Sequence, residues 1–148
     1  MIRRVIGVGN RLRGDDAAGL LAIDRLRELA PAGVLLETLS GAPLELARCW
    51  SGEDAVVILD AMRAGRPPGT IARFDALAGP LPADAFALST HHLGVAQAVE
   101  LARALDALPR RLIVLGVEGA DFSAGAALSP DVAAALDELV QRALAELG

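Results

Sequence analysis

The chain has 148 residues, of which 53% are hydrophobic and 22% charged, and its formal net charge is −5. This length and composition suit one globular domain over residues 1–148 and exclude a disordered tail. The acidic balance argues against a nucleic-acid surface, which needs clustered positive charge to bind phosphates. No apolar run reaches the roughly 18 residues that a membrane span needs, and no signal-peptide pattern opens the chain, so we expect a cytoplasmic protein without a membrane partner.

Missing residue types narrow the chemistry further. All 14 basic residues are arginines, there is no Tyr, and the one Cys is Cys49. Without Lys the chain cannot use a Schiff base or a phosphate-loop lysine, and without Tyr it has no phenolic acid. A single Cys cannot form an internal disulfide or a Cys-rich zinc site.

Strand and helix patterns alternate along the chain. Short apolar runs predict strands over residues 3–9, 34–39, 55–60, 70–75 and 111–117, the fourth of them at a sheet edge. Helical spacing predicts helices from Asp15 to just before Pro31, over 42–50 and 92–107, and a last one that opens at Ser129-Pro130 with Ser129 as N-cap. Gly and Pro favour loops over 63–69 and 76–90. This alternation predicts an α/β fold, a mostly parallel, doubly wound sheet sandwiched between helices.

The functional crevice of such a sheet lies beyond the carboxyl ends of its strands. Three segments are expected there: residues 9–16 after the first strand, 60–69 after the third, and 89–92 before the helix that begins near residue 92. Polar side chains of these segments are therefore the candidate functional residues.

The first of these segments ends in two adjacent carboxylates, Asp15 and Asp16. Asp15 could cap the following helix, and the charge of Asp16 could favour the positive end of that helix. Capping explains one carboxylate well, but it explains two adjacent carboxylates less well. The segment follows Gly7 and includes Gly9, but Leu12 replaces the third glycine of a dinucleotide fingerprint. A nucleotide site is therefore the weaker interpretation of this turn.

Asp60 and His91 add two further polar groups at the same predicted edge. Asp60 follows five apolar residues, so its carboxylate is expected to be buried and to need a partner. That partner is a charged group, the backbone of an Asx-type turn, or a ligand. With Asp16 these side chains make a donor set of two carboxylates and one imidazole, which suits nickel or zinc and leaves coordination positions open. A hydrolase triad of Ser89, His91 and Asp60 is the weaker alternative, because the chain lacks the Gly-x-Ser-x-Gly elbow.

Three ordered motifs carry a resemblance to a known family. Residues 5–19 read Val-Ile-Gly-Val-Gly-Asn-Arg-Leu-Arg-Gly-Asp-Asp-Ala-Ala-Gly and match a Gly-x-Gly-Asn-x-Leu-x-x-Asp-[Asp/Glu]-x-x-Gly signature. The second motif is Leu-Asp-Ala at 59–61 followed by Pro68-Gly69, and the third is Ser89-Thr90-His91 followed by Leu93-Gly94. Similarity continues at Gly116-Val117-Glu118 and at Leu128-Ser129-Pro130. In these segments the chain resembles the hydrogenase maturation endopeptidases.

The resemblance implies a single-domain, three-layer αβα sandwich. It implies an endopeptidase, of the aspartyl type, that removes a short C-terminal extension from the precursor of a nickel-containing hydrogenase large subunit. The family's metal-contacting and catalytic positions correspond to Asp16, Asp60 and His91, and the spacing from Ser89 favours His91 over His92. Nickel is implied as an ion already loaded in the precursor and not as a permanent cofactor of the enzyme.

Two departures from the family pattern keep alternatives open. Leu39-Ser40-Gly41-Ala42-Pro43 stands where relatives often have Gly-Gly-Thr-x-Gly, and the segment just after Glu118 lacks the Pro that relatives often have there. These differences are compatible with a divergent hydrogenase partner or with a relative that no longer cleaves. Two other classes therefore remain: a noncatalytic module that binds a metalloprotein, and a flavodoxin-like nucleotide-binding domain.

Overall fold

The computed structural model describes residues 2–40, 42–86 and 94–148. Within these ranges the elements are β1 (Arg3–Val8), α1 (Ala18–Leu29), β2 (Val34–Leu39), α2 (Pro43–Arg48), β3 (Ala55–Met62), β4 (Ile71–Asp75), α3 (Val95–Ala104), β5 (Arg111–Glu118) and α4 (Pro130–Leu147). Short 3-10 helices cover Gly14–Ala17 and Ala83–Ala85. None of the helices in these ranges is long and apolar enough to cross a membrane.

The five strands form one sheet in the order β2-β1-β3-β5-β4. β1 pairs in parallel with β2 and β3, and β3 pairs in parallel with β5. β4 lies at the edge and runs antiparallel to β5. The predicted mostly parallel sheet and the predicted edge position of the fourth strand are therefore confirmed.

Helices cover both faces of this sheet. Strand residues such as Ile6 and Ile58 pack with α2 and α3, whereas their neighbours Val5 and Val57 pack with α1 and α4. Successive side chains of a strand point to opposite faces, so a strand covered on both sides must be apolar at every position. This explains the unbroken apolar run before Asp60 and confirms the three-layer αβα sandwich.

The ends of the helices differ from the sequence prediction. The segment from Asp15 begins as a 3-10 helix, and the α-helical part starts only at Ala18. α2 ends at Arg48 and α3 at Ala104, both earlier than predicted. Asp106 follows α3 with a φ of 53°, a left-handed conformation that cannot continue a right-handed helix.

Glycine lets α1 lie unusually close to the sheet. A Cβ atom on Gly19 would be 2.3 Å from the carbonyl oxygen of Leu59, and one on Gly7 would be 2.4 Å from the carbonyl oxygen of Gly19. Both distances are far below van der Waals contact, so only glycine fits at this crossing. The first turn of α1 is thereby held next to the carboxyl-terminal part of β3.

Candidate functional site

Asp16 lies in the 3-10 helix that connects β1 with α1. The connecting loop folds back on itself, since the N–H of Asn10 donates to the carbonyl oxygen of Asp16 over 3.3 Å. Gly9 permits this approach because its φ is 149° and a Cβ atom there would lie 1.9 Å from that same oxygen. The side chain of Asp16 is consequently held, half-buried, at the carboxyl edge of the sheet.

Asp60 lies within β3, and only 4% of its surface is exposed. β3 continues to Met62, so the Asx-turn interpretation of Asp60 is wrong. Since Gly7 of β1 pairs in register with Leu59 of β3, Asp60 faces the same carboxyl edge as the loop that carries Asp16. Burial and the negative charge of Asp16 raise the pKa of Asp60 well above its usual range, and the N–H of Ala61 offsets only part of this.

The structure therefore places Asp16 and Asp60 close enough for their charges to interact. Burial also raises the pKa of Asp16, although the N–H of Asn10 and the positive charge of Arg13 act to lower it. Two neighbouring carboxylates removed from water resist simultaneous ionisation. Such a pair can bind a divalent cation, which relieves the repulsion, or it can share one proton.

The third predicted residue, His91, lies outside the described residues, as do Ser89 and His92. The geometry of the complete trio, like that of the alternative triad, therefore stays a prediction. Over residues 2–40, 42–86 and 94–148, no group of three His, Cys, Asp or Glu side chains could hold a metal ion. The described residues contribute two of the three predicted donors.

Asp15 does not cap α1, so that interpretation is wrong. Its fully buried carboxylate accepts the N–H groups of Ala120, Asp121 and Ser129 at 2.7, 3.0 and 2.7 Å, and the Ser129 hydroxyl at 2.7 Å. Burial alone would raise the pKa of Asp15, but these donors together bring it below its usual value. Asp15 ties the loop after β5 to the loop after β1.

Ser129 occupies the N-cap position of α4, as predicted, but its side chain does not cap the helix. Its hydroxyl donates to Asp15, and no side-chain capping bond is made to the first turn of α4. Pro130 does occupy the start of α4, as predicted. A hydroxyl engaged by a buried carboxylate forms a stronger, charge-assisted bond than a helix cap offers.

Sequence reasoning assigned no role to Glu118, which is 2% exposed at the end of β5. Both of its carboxylate oxygens accept the N–H of Ala64, at 2.9 and 3.1 Å. Glu118 thus holds the start of the loop that follows β3 and Asp60. A carboxylate that ends an apolar strand is the same signal that drew attention to Asp60, and it could have identified Glu118 too.

The loop after β1 offers little to a nucleotide phosphate. The N–H groups of Gly9, Asp15 and Asp16 donate to the carbonyl oxygens of Leu39, Asp121 and Arg13, at 3.1, 2.8 and 3.1 Å. A phosphate-binding loop needs such N–H groups turned outward, with no carboxylates beside them. The nucleotide-binding alternative therefore finds no support in this loop.

Several known proteins are similar to this chain over most of its length. The family model described as hydrogenase maturation protease matches residues 40–146. The hydrogenase expression/formation protein HupD of Thiocapsa roseopersicina is 27% identical over 143 residues, which cover 95% of this chain and 65% of HupD. The chain thus spans just under two thirds of the length of that relative.

Two further relatives come from Escherichia coli. The hydrogenase 2 maturation protease of strain K12 is 28% identical over 148 residues, covering 97% of this chain and 88% of that protein. The solved structure of the hydrogenase maturating endopeptidase HybD has a TM-score of 0.77 and 28% identity, over 99% of this chain and 92% of that one. Because the family model covers well over half of the sequence, this chain belongs to the hydrogenase maturation protease family.

Proposed function

We propose that this chain is an endopeptidase that removes the C-terminal extension from the precursor of a nickel-containing hydrogenase large subunit. Membership of the protease family supports the reaction class. The observation that carries the proposal is the pairing of Asp16 with Asp60, two carboxylates with raised pKa values at the carboxyl edge of the sheet. The proposal includes a cytoplasmic location, as expected from the sequence.

In this proposal Asp16, Asp60 and His91 contact nickel that the precursor already carries. The donor chemistry fits, because a divalent cation relieves the repulsion that raises the pKa of Asp60. Three protein donors leave coordination positions for the precursor's own ligands, as expected for a transient contact. The contribution of His91 rests on its place in the third sequence motif.

The residues around the pair define what the protein contributes to hydrolysis. Asp15 and Glu118 fix the loops on either side of the crevice, so a docked extension meets pre-positioned carboxylates. Nickel near the scissile bond can polarise its carbonyl or activate a water molecule. In the alternative, aspartyl type of mechanism, Asp60 in its protonated form gives its proton to the leaving amine, while the Asp16 carboxylate accepts a proton from the attacking water.

Replacement of the three residues tests the proposal. We expect Asp16→Asn, Asp60→Asn and His91→Gln to remain folded and to process nickel-loaded precursor at least about 100-fold more slowly, since each removes a donor or an acid-base group. His92→Gln is the matched control and should process normally. Electrophoresis of the precursor and its product gives the rate, and normal processing by all three variants would overturn the assignment.

Nickel-free precursor separates the two mechanisms. If contact with nickel positions the substrate, the wild-type protein should leave nickel-free precursor uncut, whereas the aspartyl mechanism should cut both forms. The intact mass of each precursor after incubation reports the cleavage. Tight binding of nickel-loaded precursor without any loss of mass would identify a noncatalytic binding module instead.

A further inference from the structure

A polar cavity of about 440 Å³ lies between the loops that follow β1, β3 and β5. Its walls include Arg13, Arg63 and Phe122, and its volume falls in the range of about 300–1,000 Å³ that is typical of ligand clefts. Arg13 stands three positions before Asp16, and Arg63 three positions after Asp60. Because the charge of Arg13 acts on the Asp16 carboxylate, the cavity lies near the proposed reaction site. The family match and the sequence motifs assign it no ligand.

Both arginines line this cavity, and the charge of Arg13 also acts on the nearby Asp16 carboxylate. Neither takes part in an ion pair among the described residues, although arginines elsewhere in the chain do so repeatedly. The guanidinium carbon of Arg63 lies 4.6 Å from the centre of the Phe122 ring. A guanidinium held over a ring keeps its N–H donors along its edge, where they can bind a carboxylate through two hydrogen bonds.

The cavity walls are fixed before any ligand arrives. The backbone N–H of Arg63 donates to the carbonyl oxygen of Ala85 at 2.8 Å, and Glu118 holds the next N–H along the chain. Ala120 and Asp121 also line the cavity, and the Asp15 carboxylate accepts their N–H groups. A ligand that enters a preformed site pays little ordering entropy, so the two arginines can contribute most of their charge to binding.

Two acids in the lining restrict which anions fit. Asp84 and Asp121 balance the charge of the two arginines, and the Asp121 carboxylate accepts the N–H of Ser123 at 2.9 Å. Multiply charged anions such as phosphates would be repelled by these acids. A single carboxylate can instead sit against the arginines, while the acids accept N–H groups of a peptide chain.

We propose that Arg13 and Arg63 form a subsite that binds a carboxylate of the peptide extension, either an acidic side chain or the chain terminus. The subsite would hold the extension beside Asp16 and Asp60 and so contribute to substrate selection. This inference rests on the proposed function, because it takes the extension as the ligand. Arg13 and Arg63 are binding residues in this view and make no contact with the reacting atoms.

Steady-state processing of nickel-loaded precursor gives the first test. We expect Arg13→Gln and Arg63→Gln each to raise KM about tenfold and to leave kcat within about twofold, because charged hydrogen bonds of this kind act on binding. Arg66→Gln, an exposed arginine in the same loop outside the cavity, is the matched control and should leave both constants unchanged. Arg63→Lys retains the charge but loses the two-pronged geometry, so its KM should lie between those of wild type and Arg63→Gln.

Direct binding gives the second test and identifies the source of the carboxylate. Fluorescent peptides with the sequence of the extension are compared in three forms: unmodified, amidated at the C-terminus, and with acidic side chains replaced by their amides. The wild-type protein should bind one modified form about tenfold more weakly, and Arg63→Gln should show no further loss with that form. Loss with the amidated form identifies the terminus, and loss with the side-chain amides identifies an acidic residue.

Equal binding of all three peptides, or an equal loss in Arg66→Gln, would overturn the subsite. Thermal melting of every variant confirms that the compared proteins are folded. Wild-type cleavage of the precursor is measured first, so the two proposals fail separately. Arginine-dependent peptide binding without any cleavage would support the subsite and reject the endopeptidase function. Cleavage with an unchanged KM in both arginine variants would support the endopeptidase function and reject the subsite.

Discussion

Two adjacent aspartates in this protein have opposite surroundings. Asp15 is buried among N–H donors and its pKa is lowered, whereas Asp16 is half-buried near Asp60 and its pKa is raised. Hydrogen bonds from N–H groups stabilise a carboxylate, while burial and a like charge disfavour it. The first residue is thus suited to holding loops together, and the second to meeting a cation or a proton.

At the residue scale, Asp54 makes a pH-dependent contribution to stability that can be tested apart from the site. The N–H of Ser51 and the guanidinium of Arg4 lower the pKa of Asp54 to about 2, against the effect of burial. The pKa is lower in the folded chain, so the stabilisation is present above the unfolded pKa of about 3.9 and is lost as the pH falls through the folded pKa. We expect Asp54→Asn to reduce the free energy of unfolding by about 1–2 kcal/mol at pH 7, with allowance for solvent screening, and by little near pH 2.

Urea unfolding at several pH values between 2 and 7 measures this difference. Glu53→Gln, at the exposed neighbouring position, is the control and should match the wild type at every pH. A stability difference for Asp54→Asn that does not change with pH would contradict the ionic explanation.

At the scale of elements, the close contact of α1 with the sheet decides where Asp16 lies. Gly19 touches the backbone of Leu59, the residue before Asp60, so the helix that follows Asp16 rests on the strand that carries Asp60. A larger residue at this crossing would push the helix away from the strand. The distance between the two carboxylates therefore depends on a residue that has no side chain.

Gly19→Ala tests this dependence. Alanine is the better helix former by about 1 kcal/mol, but its Cβ atom would overlap the carbonyl oxygen of Leu59, so we expect a net loss of about 1–3 kcal/mol in the free energy of unfolding. Processing of the precursor should also slow, because Asp16 moves. Gly79→Ala, where a Cβ atom would meet nothing within 4 Å, should leave both stability and processing unchanged. An equal effect of both substitutions would rule out the steric explanation.

At the scale of the whole molecule, the two layers of helices share one sheet. β3 and β5 supply buried side chains to both faces, through residues such as Ile58 and Leu59 in β3. Neither face can lose its packing without exposing the strands that support the other. We therefore expect the chain to unfold as one cooperative unit, in line with the predicted single domain.

Trp50 makes this expectation measurable. It is the only Trp, it packs on the face of α2 and α3, and its indole N–H donates to the carbonyl oxygen of Ala107 at 2.8 Å. Trp fluorescence and far-UV circular dichroism should give the same urea midpoint. Leu139→Ala, in α4 on the opposite face, should cost about 2–5 kcal/mol and lower both midpoints equally. A fluorescence midpoint that stays unchanged in this variant would indicate two independent units.

The elements and their order could be predicted because each depends on local sequence patterns. The strand of residues 34–39 is confirmed at both ends, and β4 lies at the edge as predicted. The side chains of Asp15 and Ser129 do not cap their helices, because they bind each other across 114 positions of the chain. A local pattern contains no information on such a contact.

The sequence by itself determined the alternation of strands and helices, the carboxyl edge that bears Asp16 and Asp60, and the motifs that indicated the family. Hydrophobic periodicity and strand direction are local properties, and they suffice for these conclusions. Only the tertiary structure decided that Asp15 and Glu118 hold loops, and that Arg13 and Arg63 face one cavity beside Phe122. These roles depend on distances between residues that are far apart in the chain. Only the packing of α1, α4 and the strand ends fixes those distances.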